Sequence, residues 1–314
     1  MCLKSVLVLK VGGQVRNRGL KIFGILTSIG MVIVLIQGVL VTQTDSGDAC
    51  GAEWPLCLGQ IFPDSPTVET MIEYSHRAVT ALVGLMVLTL VIWSWRKLKS
   101  MNEVKFFATI SIFFIILQSL LGAAAVLWEQ TDEVMALHFG FSLMSVASVV
   151  ILTIFSFEYD FPRKKTILSL SSRMKYYLYF LFVYLYVVVY TGAYVKHTDS
   201  AAACSGWPLC NDQLIPPLEG GAAIQFGHRL ATALLFIFIL ILFSQVWKKY
   251  RQEKVFFFTT ALSLLLVVIQ IFSGAILIFT GFTLAATMFH AVFLSLLFVT
   301  IFYLIVLAYR SANK

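Results

Sequence analysis

Eight apolar runs, each about as long as a helix that crosses a lipid bilayer, constrain this 314-residue chain more than any other feature. A spanning helix needs roughly 20 mainly apolar residues. The runs are continuous, which favours helices over barrel strands, because a helix satisfies its own backbone hydrogen bonds in lipid. Charged residues make up only 12% of the chain, about half the usual share in soluble domains. The sequence therefore predicts an all-α membrane protein with spans at residues 22–42, 71–93, 106–128, 134–157, 176–195, 222–246, 255–279 and 284–308.

The basic residues are distributed as a membrane topology requires. All but Arg77, Lys196 and Arg229 of the 23 lysines and arginines fall in five segments that lie on one side of the membrane when the eight spans are threaded in order. The positive-inside rule places that side in the cytoplasm. The sequence thus predicts a multi-pass protein of the cell membrane with cytoplasmic termini, including a basic N-terminal extension at residues 1–21. The net charge of +7 is explained by topology, so nucleic acid is excluded as a partner and membrane lipid is expected.

The chain contains an internal repeat. Thr-Asp-Ser at residues 44–46 recurs 154 residues later at 198–200, and "SHRAVTAL" from Ser75 recurs 152 residues later as "GHRLATAL" from Gly227. Each copy contains four predicted helices. The halves are residues 22–157 and 176–308, joined by a cytoplasmic linker at 158–175 and followed by a cytoplasmic tail at 309–314. Because four is an even number, the repeat predicts two tandem four-helix bundles related by a pseudo-two-fold axis along the membrane normal.

Four histidines occupy matched positions in the two halves. His76 and His138 are 62 residues apart, as are His228 and His290, and each lies near the outer end of its predicted helix. Zinc normally takes three or four protein ligands, and only Glu73 lies near enough to add one. Two opposed imidazoles between helices suit the axial positions of a haem iron. We therefore predict one haem site per half; the alternative is buried polar residues that hydrogen-bond between helices.

Several residues near these histidines have two interpretations. Arg77 and Arg229 directly follow the second-helix histidines, where a guanidinium can bind a haem propionate or extend to lipid headgroups. His197, in the second outer loop, is expected to be solvated. Helix packing by small and polar residues is the interpretation favoured for Gln118, Gly122, Gln270 and Gly274.

Two cysteine pairs bracket Trp-Pro-Leu segments in the outer loops. Cys50 and Cys57 lie in the first loop of one half, and Cys204 and Cys210 in the matching loop of the other. Disulfides persist outside the cytoplasm, so a loop-closing disulfide is predicted in each half. A redox-active pair that exchanges with a thiol donor is the alternative. Cys2 is expected to be a free cytoplasmic thiol.

The two halves differ in their charge near the histidines. Glu73, one helical turn before His76, is replaced by Gln225 before His228. A carboxylate beside a haem can transfer protons or stabilise a developing cation. The first half is therefore predicted to perform chemistry and the second to hold a permanent haem, unless Glu73 is merely a solvated carboxylate. Five further acids of the first half have no acidic counterpart in the second: Asp48, Glu53, Glu129, Asp132 and Glu133.

The combination of E-x-x-H-R, paired histidines 62 residues apart and two C…WPLC loops resembles the heme A synthase family over about residues 22–308. The resemblance implies oxidation of the C8 methyl of heme O to the formyl group of heme A, for aa3-type terminal oxidases. It implies that His76 and His138 hold heme O, with Glu73 as the acid/base or cation-stabilising group. It further implies that His228 and His290 ligate heme b, and that the cysteine pairs match those of bacterial members.

The resemblance also implies partners. A heme O synthase (a farnesyltransferase) would supply the substrate, an electron acceptor of unspecified kind would take the electrons, and a homo-oligomer is compatible with the sequence. Three other functions remain open on the residues. They are a dihaem b-type electron-transfer cytochrome linked to quinol, a membrane thiol–disulfide oxidoreductase and a haem transporter.

Overall fold

The computed structural model describes residues 17–128, 131–159 and 168–313. In these ranges the chain forms eight long helices, each long and apolar enough to cross a membrane, which confirms the all-α membrane fold. Residues 1–16 with Cys2, residues 129–130, residues 160–167 of the linker and Lys314 lie outside the described residues. The helices are α1 (Arg18–Gln43), α2 (Val68–Lys97), α3 (Asn102–Leu127), α4 (Asp132–Glu158), α5 (Ser172–His197), α6 (Gly220–Lys249), α7 (Lys254–Phe279) and α8 (Leu284–Arg310).

Most helices extend beyond the apolar runs, because polar groups at their ends stabilise additional turns. The hydroxyl of Thr67 accepts a hydrogen bond from the Thr70 amide and caps α2, and Ser171 caps α5 in the same way through Met174. Such caps satisfy amides that have no partner within the helix. At its other end α2 continues to Lys97, where a positive charge is favourable. Hydropathy therefore located each helix but underestimated its length.

The two halves agree helix by helix. Their helices contain 26, 30, 26 and 27 residues in both halves. Helix α1 contacts α2 and α4, as α5 contacts α6 and α8, and the halves meet where α4 packs on α5 and α8 and where α1 packs on α8. These contacts are consistent with two tandem four-helix bundles. The pseudo-two-fold axis itself stays a prediction.

An ion-pair cluster joins the halves at the end of the bundle opposite the disulfide loops. Arg310 of α8 donates to Glu103 of α3 at 3.0 Å and to Glu158 of α4 at 2.7 Å. Its guanidinium lies 4.4 Å from the centre of the Phe155 ring, and Tyr303 donates to the second oxygen of Glu158 at 2.8 Å. Beside the cluster, a two-residue strand β1 (Ser169–Leu170) pairs in parallel with β2 (Ala312–Asn313). The cluster thus ties α8 to both α3 and α4.

Replacing Arg310 with Met should destabilise the contact between the halves, since it removes the cation that pairs with the partly buried carboxylates of both Glu103 and Glu158. The charged side chains of the cluster are 11–26% exposed, so we expect a loss on the order of 2 kcal/mol, less than for a fully buried pair. The measurement is the Tm of the purified protein in detergent. Adding Glu158→Gln should restore part of the loss.

Arg251→Met is the matched control for this prediction. Arg251 is exposed and lies 5.0 Å from the centre of the Trp247 ring. Its replacement therefore removes a similar cation–π contact but, among the described residues, no ion pair. Equal Tm values for the Arg310 and Arg251 variants would contradict the prediction.

Candidate functional site

Both outer loops are closed by disulfides. Cys50–Cys57 and Cys204–Cys210 have S–S distances of 2.07 and 1.94 Å, so the predicted pairing is confirmed. All four cysteines are buried.

The Thr-Asp-Ser segments at the start of the two loops fold alike. Asp45 and Asp199 both adopt the left-handed backbone region, with φ of 50° and 52°, which aspartate tolerates better than most residues. The flanking Thr and Ser hydroxyls are hydrogen-bonded at 2.7 Å in the first loop and 2.8 Å in the second. The repeated sequence therefore gives a repeated turn at the entrance to each loop.

Each of the four helix histidines packs against a glycine of the preceding helix. A Cβ atom placed on Gly38 of α1 would lie 3.5 Å from the Cε1 atom of His76, and one on Gly122 of α3 would lie 3.6 Å from that of His138. In these pairs the absence of a glycine side chain lets the imidazole approach the neighbouring backbone.

The second half repeats this arrangement more tightly. A Cβ on Gly274 of α7 would lie 3.6 Å from Cε1 of His290, but one on Gly192 of α5 would lie only 2.8 Å from Cε1 of His228. A methyl group at position 192 would therefore collide with the ring.

A cavity of about 630 Å³ lies between the helices of the second half, within the size range of small-molecule and cofactor sites. His228 and His290 both line it. It also reaches the first half, because His138 and Met135 of α4 and Gln43 of α1 contribute to its wall. Its lining is mostly apolar, apart from these histidines and a few polar groups.

Hydrogen bonding at the ring nitrogens differs between the halves. In the second half, Nδ1 of His228 lies 3.0 Å from the Thr191 hydroxyl, and Nδ1 of His290 lies 2.8 Å from the Ser273 hydroxyl. In the first half, Nδ1 of His76 and Nδ1 of His138 are buried without a hydrogen-bond partner among the described residues.

Glu73 connects its helix to the disulfide loop. One carboxylate oxygen accepts a hydrogen bond from the backbone amide of Cys50 at 2.7 Å, and the other pairs with Arg77 one turn further along α2. Arg77 also donates to the carbonyls of Leu56 at 2.6 Å and Gly51 at 3.4 Å. Glu73 is only 3% exposed, which excludes the solvated carboxylate considered above.

The second half holds its loop without this carboxylate. Arg229 donates to three loop carbonyls, at 2.7 Å to Gly206, 2.9 Å to Leu209 and 3.3 Å to Cys204. Gln225, at the position of Glu73, is buried and its side-chain oxygen has no partner among the described residues. Both arginines thus fix the disulfide loops, and their predicted contact with haem propionates stays a prediction.

Three features of the site differ from the sequence-based expectation or were missed by it. His197, expected to be solvated, is the half-buried last residue of α5 and lines the cavity. Gln270, assigned to packing, places its amide nitrogen 3.0 and 3.2 Å from the two ring nitrogens of His290, and so lies against that ring. Gly38 and Gly192 were missed, although their spacing of 154 matches the Thr-Asp-Ser repeat.

The residues present fit a haem between the second-half helices. The cavity has the required size range and an apolar wall, two histidines enter it, and glycines allow both rings to lie close to the helix backbones. The side-chain oxygens of Gln225 and Gln270 are buried without partners among the described residues, so two hydrogen-bond acceptors remain available to a bound group. Haem ligation by paired histidines in a helical bundle is consistent with this geometry.

Comparison with known proteins agrees with these observations. The family model of the COX15-CtaA cytochrome oxidase assembly proteins matches residues 21–302. The heme A synthase of Shouchella clausii is 48% identical over 95% of this chain and all of its own length. That of Alkalihalophilus pseudofirmus is 45% identical, with coverage of 95% and 100%. The Halalkalibacterium halodurans heme A synthase is 46% identical, with coverage of 94% and 99%.

The match spans both halves, with all eight helices, the four histidines and the two disulfide loops. This chain therefore belongs to the COX15-CtaA family and, within it, to the heme A synthases.

Proposed function

We propose that this chain oxidises the C8 methyl group of heme O to the formyl group of heme A. The observation that carries the proposal is the buried Glu73, fixed one turn from His76 in one half and replaced by Gln225 in the other. Membership in the heme A synthase family makes the chain a haem-binding membrane enzyme. A dihaem cytochrome that only transfers electrons would not need this difference between its halves.

In this proposal the two halves bind different haems. His76 and His138 hold heme O as the substrate in residues 22–157, and His228 and His290 hold heme b permanently in residues 176–308. Two features support a permanently bound haem in the second half: His228 and His290 line a cavity there, and a hydroxyl lies within hydrogen-bond distance of each ring. Heme b, when bound, supplies one-electron redox chemistry.

Glu73 acts in this proposal through its fixed negative charge. Both of its oxygens already accept hydrogen bonds, from the Cys50 amide and from Arg77, so it is not a free base. A carboxylate held in a buried position stabilises positive charge that develops nearby, at no cost of reorganisation. The loop that it anchors closes the outer end of the first half and limits water there.

We infer the membrane orientation of the enzyme and its partners. The basic segments and both termini face the cytoplasm and the disulfide loops face outward. A heme O synthase in the same membrane supplies the substrate, and a separate acceptor takes the electrons released by the oxidation. The remaining two open functions, a thiol–disulfide oxidoreductase and a haem transporter, explain only part of the site.

Co-expression with a heme O synthase tests the activity directly. Haem extracted from membranes that contain both proteins should include heme A, whereas membranes with the synthase alone should contain heme O. Chromatography of the extracted haems is the measurement. Heme O that stays unchanged at normal expression of this chain would refute the proposal in favour of the dihaem cytochrome.

Glu73→Gln should retain haem but lose product formation by about 10²-fold or more, because the amide preserves the shape and an acceptor for the Cys50 amide but removes the charge. The measurement is heme A formed per bound haem. Glu53→Gln, on the same loop but exposed, is the control and should keep full activity. Equal activity of both variants would show that the charge of Glu73 is incidental.

His228→Ala and His290→Ala should each remove the tightly bound haem from the purified protein, because each deletes an imidazole that would hold the iron. His76→Ala and His138→Ala should retain that haem and lose heme A formation. The absorption spectrum and the haem content per polypeptide distinguish the two sets. The proposed division fails if the first-half variants lose the tightly bound haem and the second-half variants keep it.

A further inference from the structure

The hydroxyl of Thr191 contacts the ring of His228. It lies 2.9 Å from the carbonyl of Val188, to which it can donate its proton, and 3.0 Å from Nδ1 of His228. When His228 binds a metal through Nε2, its Nδ1 carries a proton. A hydroxyl that donates its single proton to Val188 is then free to accept the Nδ1–H of the ring.

Ser273 makes a similar contact on the other side of the cavity, where the amide nitrogen of Gln270 also lies 3.2 Å from Nδ1 and 3.0 Å from Nε2 of His290. The Ser273 hydroxyl donates to the carbonyl of Gln270 at 2.8 Å and lies 2.8 Å from Nδ1 of His290. Both histidines line the cavity, whereas Thr191 and Ser273 are not among its lining residues. The two hydroxyls therefore contact the rings from behind, away from the space that a haem would fill.

The first half has neither hydroxyl. At the repeat offset of 154, Thr191 corresponds to Gln37, whose side-chain oxygen is buried without a partner among the described residues. At the offset of 152, Ser273 corresponds to Leu121, which cannot hydrogen-bond. Nδ1 of His76 and Nδ1 of His138 accordingly have no partner in the described part of the chain. Nothing there selects one tautomer or fixes the orientation of either ring.

We propose that Thr191 and Ser273 are positioning residues that make the second half retain its haem, and that Gln37 and Leu121 make the first half release the haem it has modified. The proposal rests on the division of substrate and permanent haem given above. An imidazole fixed in the Nδ1–H form loses less freedom when it binds iron, and loss of such a partner typically weakens metal binding about 10- to 100-fold. A site that converts substrate to product needs weaker haem binding, because its product must leave.

A purely structural role is the competing explanation, because Thr and Ser in membrane helices often bond a carbonyl of the preceding turn. Thr260 of α7 supplies the matched control. It does not line the cavity and donates to the carbonyl of Phe256 at 2.8 Å, so it makes the carbonyl bond without a contact to either histidine ring. Thr191→Ser is the second control, since it keeps the hydroxyl.

The first measurement is the rate at which purified, haem-loaded protein loses haem to an excess of apomyoglobin. Thr191→Val and Ser273→Ala should each lose haem about 10- to 100-fold faster than the parent chain. Thr260→Val and Thr191→Ser should stay close to the parent rate. The reduction potential of the bound haem should become more positive only in Thr191→Val and Ser273→Ala, because loss of the Nδ1–H bond weakens electron donation from the imidazole. Equal loss rates for Thr191→Val, Ser273→Ala and Thr260→Val would overturn the proposal.

The reciprocal experiment transfers the hydroxyls to the first half. Gln37→Thr combined with Leu121→Ser should increase the haem retained per polypeptide and slow exchange of heme O or heme A, with no change in haem loss from the second half. Unchanged retention and exchange would overturn the first-half part of the proposal.

These outcomes separate the inference from the proposed function. The haem-loss ranking does not require heme A to be made, so a chain without synthase activity could still follow it. A chain that makes heme A with unchanged loss rates in all variants would retain its function and lose only this inference.

Discussion

The contact between an imidazole and a glycine of the preceding helix determines how each half of this protein can be built. Gly38, Gly122, Gly192 and Gly274 let the four rings approach the backbones of α1, α3, α5 and α7. At position 192 an added Cβ would lie 2.8 Å from the ring and overlap it, whereas at the other three positions it would lie 3.5–3.6 Å away, in van der Waals contact. These glycines therefore set how closely each ring lies against the neighbouring helix, most tightly at His228.

On that shared framework the halves have diverged in two independent respects. One is charge, where buried Glu73 anchors a disulfide loop and Gln225 does not. The other is support of the imidazoles, which hydroxyls supply only to His228 and His290. Both differences support the proposed placement of the reacting haem in the first half and of the retained haem in the second. The charge difference lies on α2 and α6, whereas the hydroxyls lie on α5 and α7.

The helices, the histidine pairs and the disulfides were predictable because each produces a signal along the chain, either as an apolar run or as a repeat. The contact of Glu73 with the Cys50 amide was not predictable, because it depends on loop folding that hydropathy does not specify. Its pair with Arg77 could have been found, since the two residues are four apart on one helix. The ends of α2 and α5 extend past their apolar runs through Thr67 and Ser171. Gly38 and Gly192 could have been found, since the 154-residue repeat aligns them; Thr191 and Ser273 could not, because their counterparts share no chemistry with them.

The equal lengths of the paired helices indicate where the two copies were free to change in length. Helix bounds differ by 154 residues for α1 and α5 and by 152 for the three later pairs, so the net difference in length lies in the first outer loop. One residue inserted in a helix moves everything beyond it by about 1.5 Å and rotates it by about 100°, which would separate a histidine from its glycine. The length difference between the two halves therefore lies where the chain leaves the bilayer, where it disturbs no contact between a histidine and its glycine.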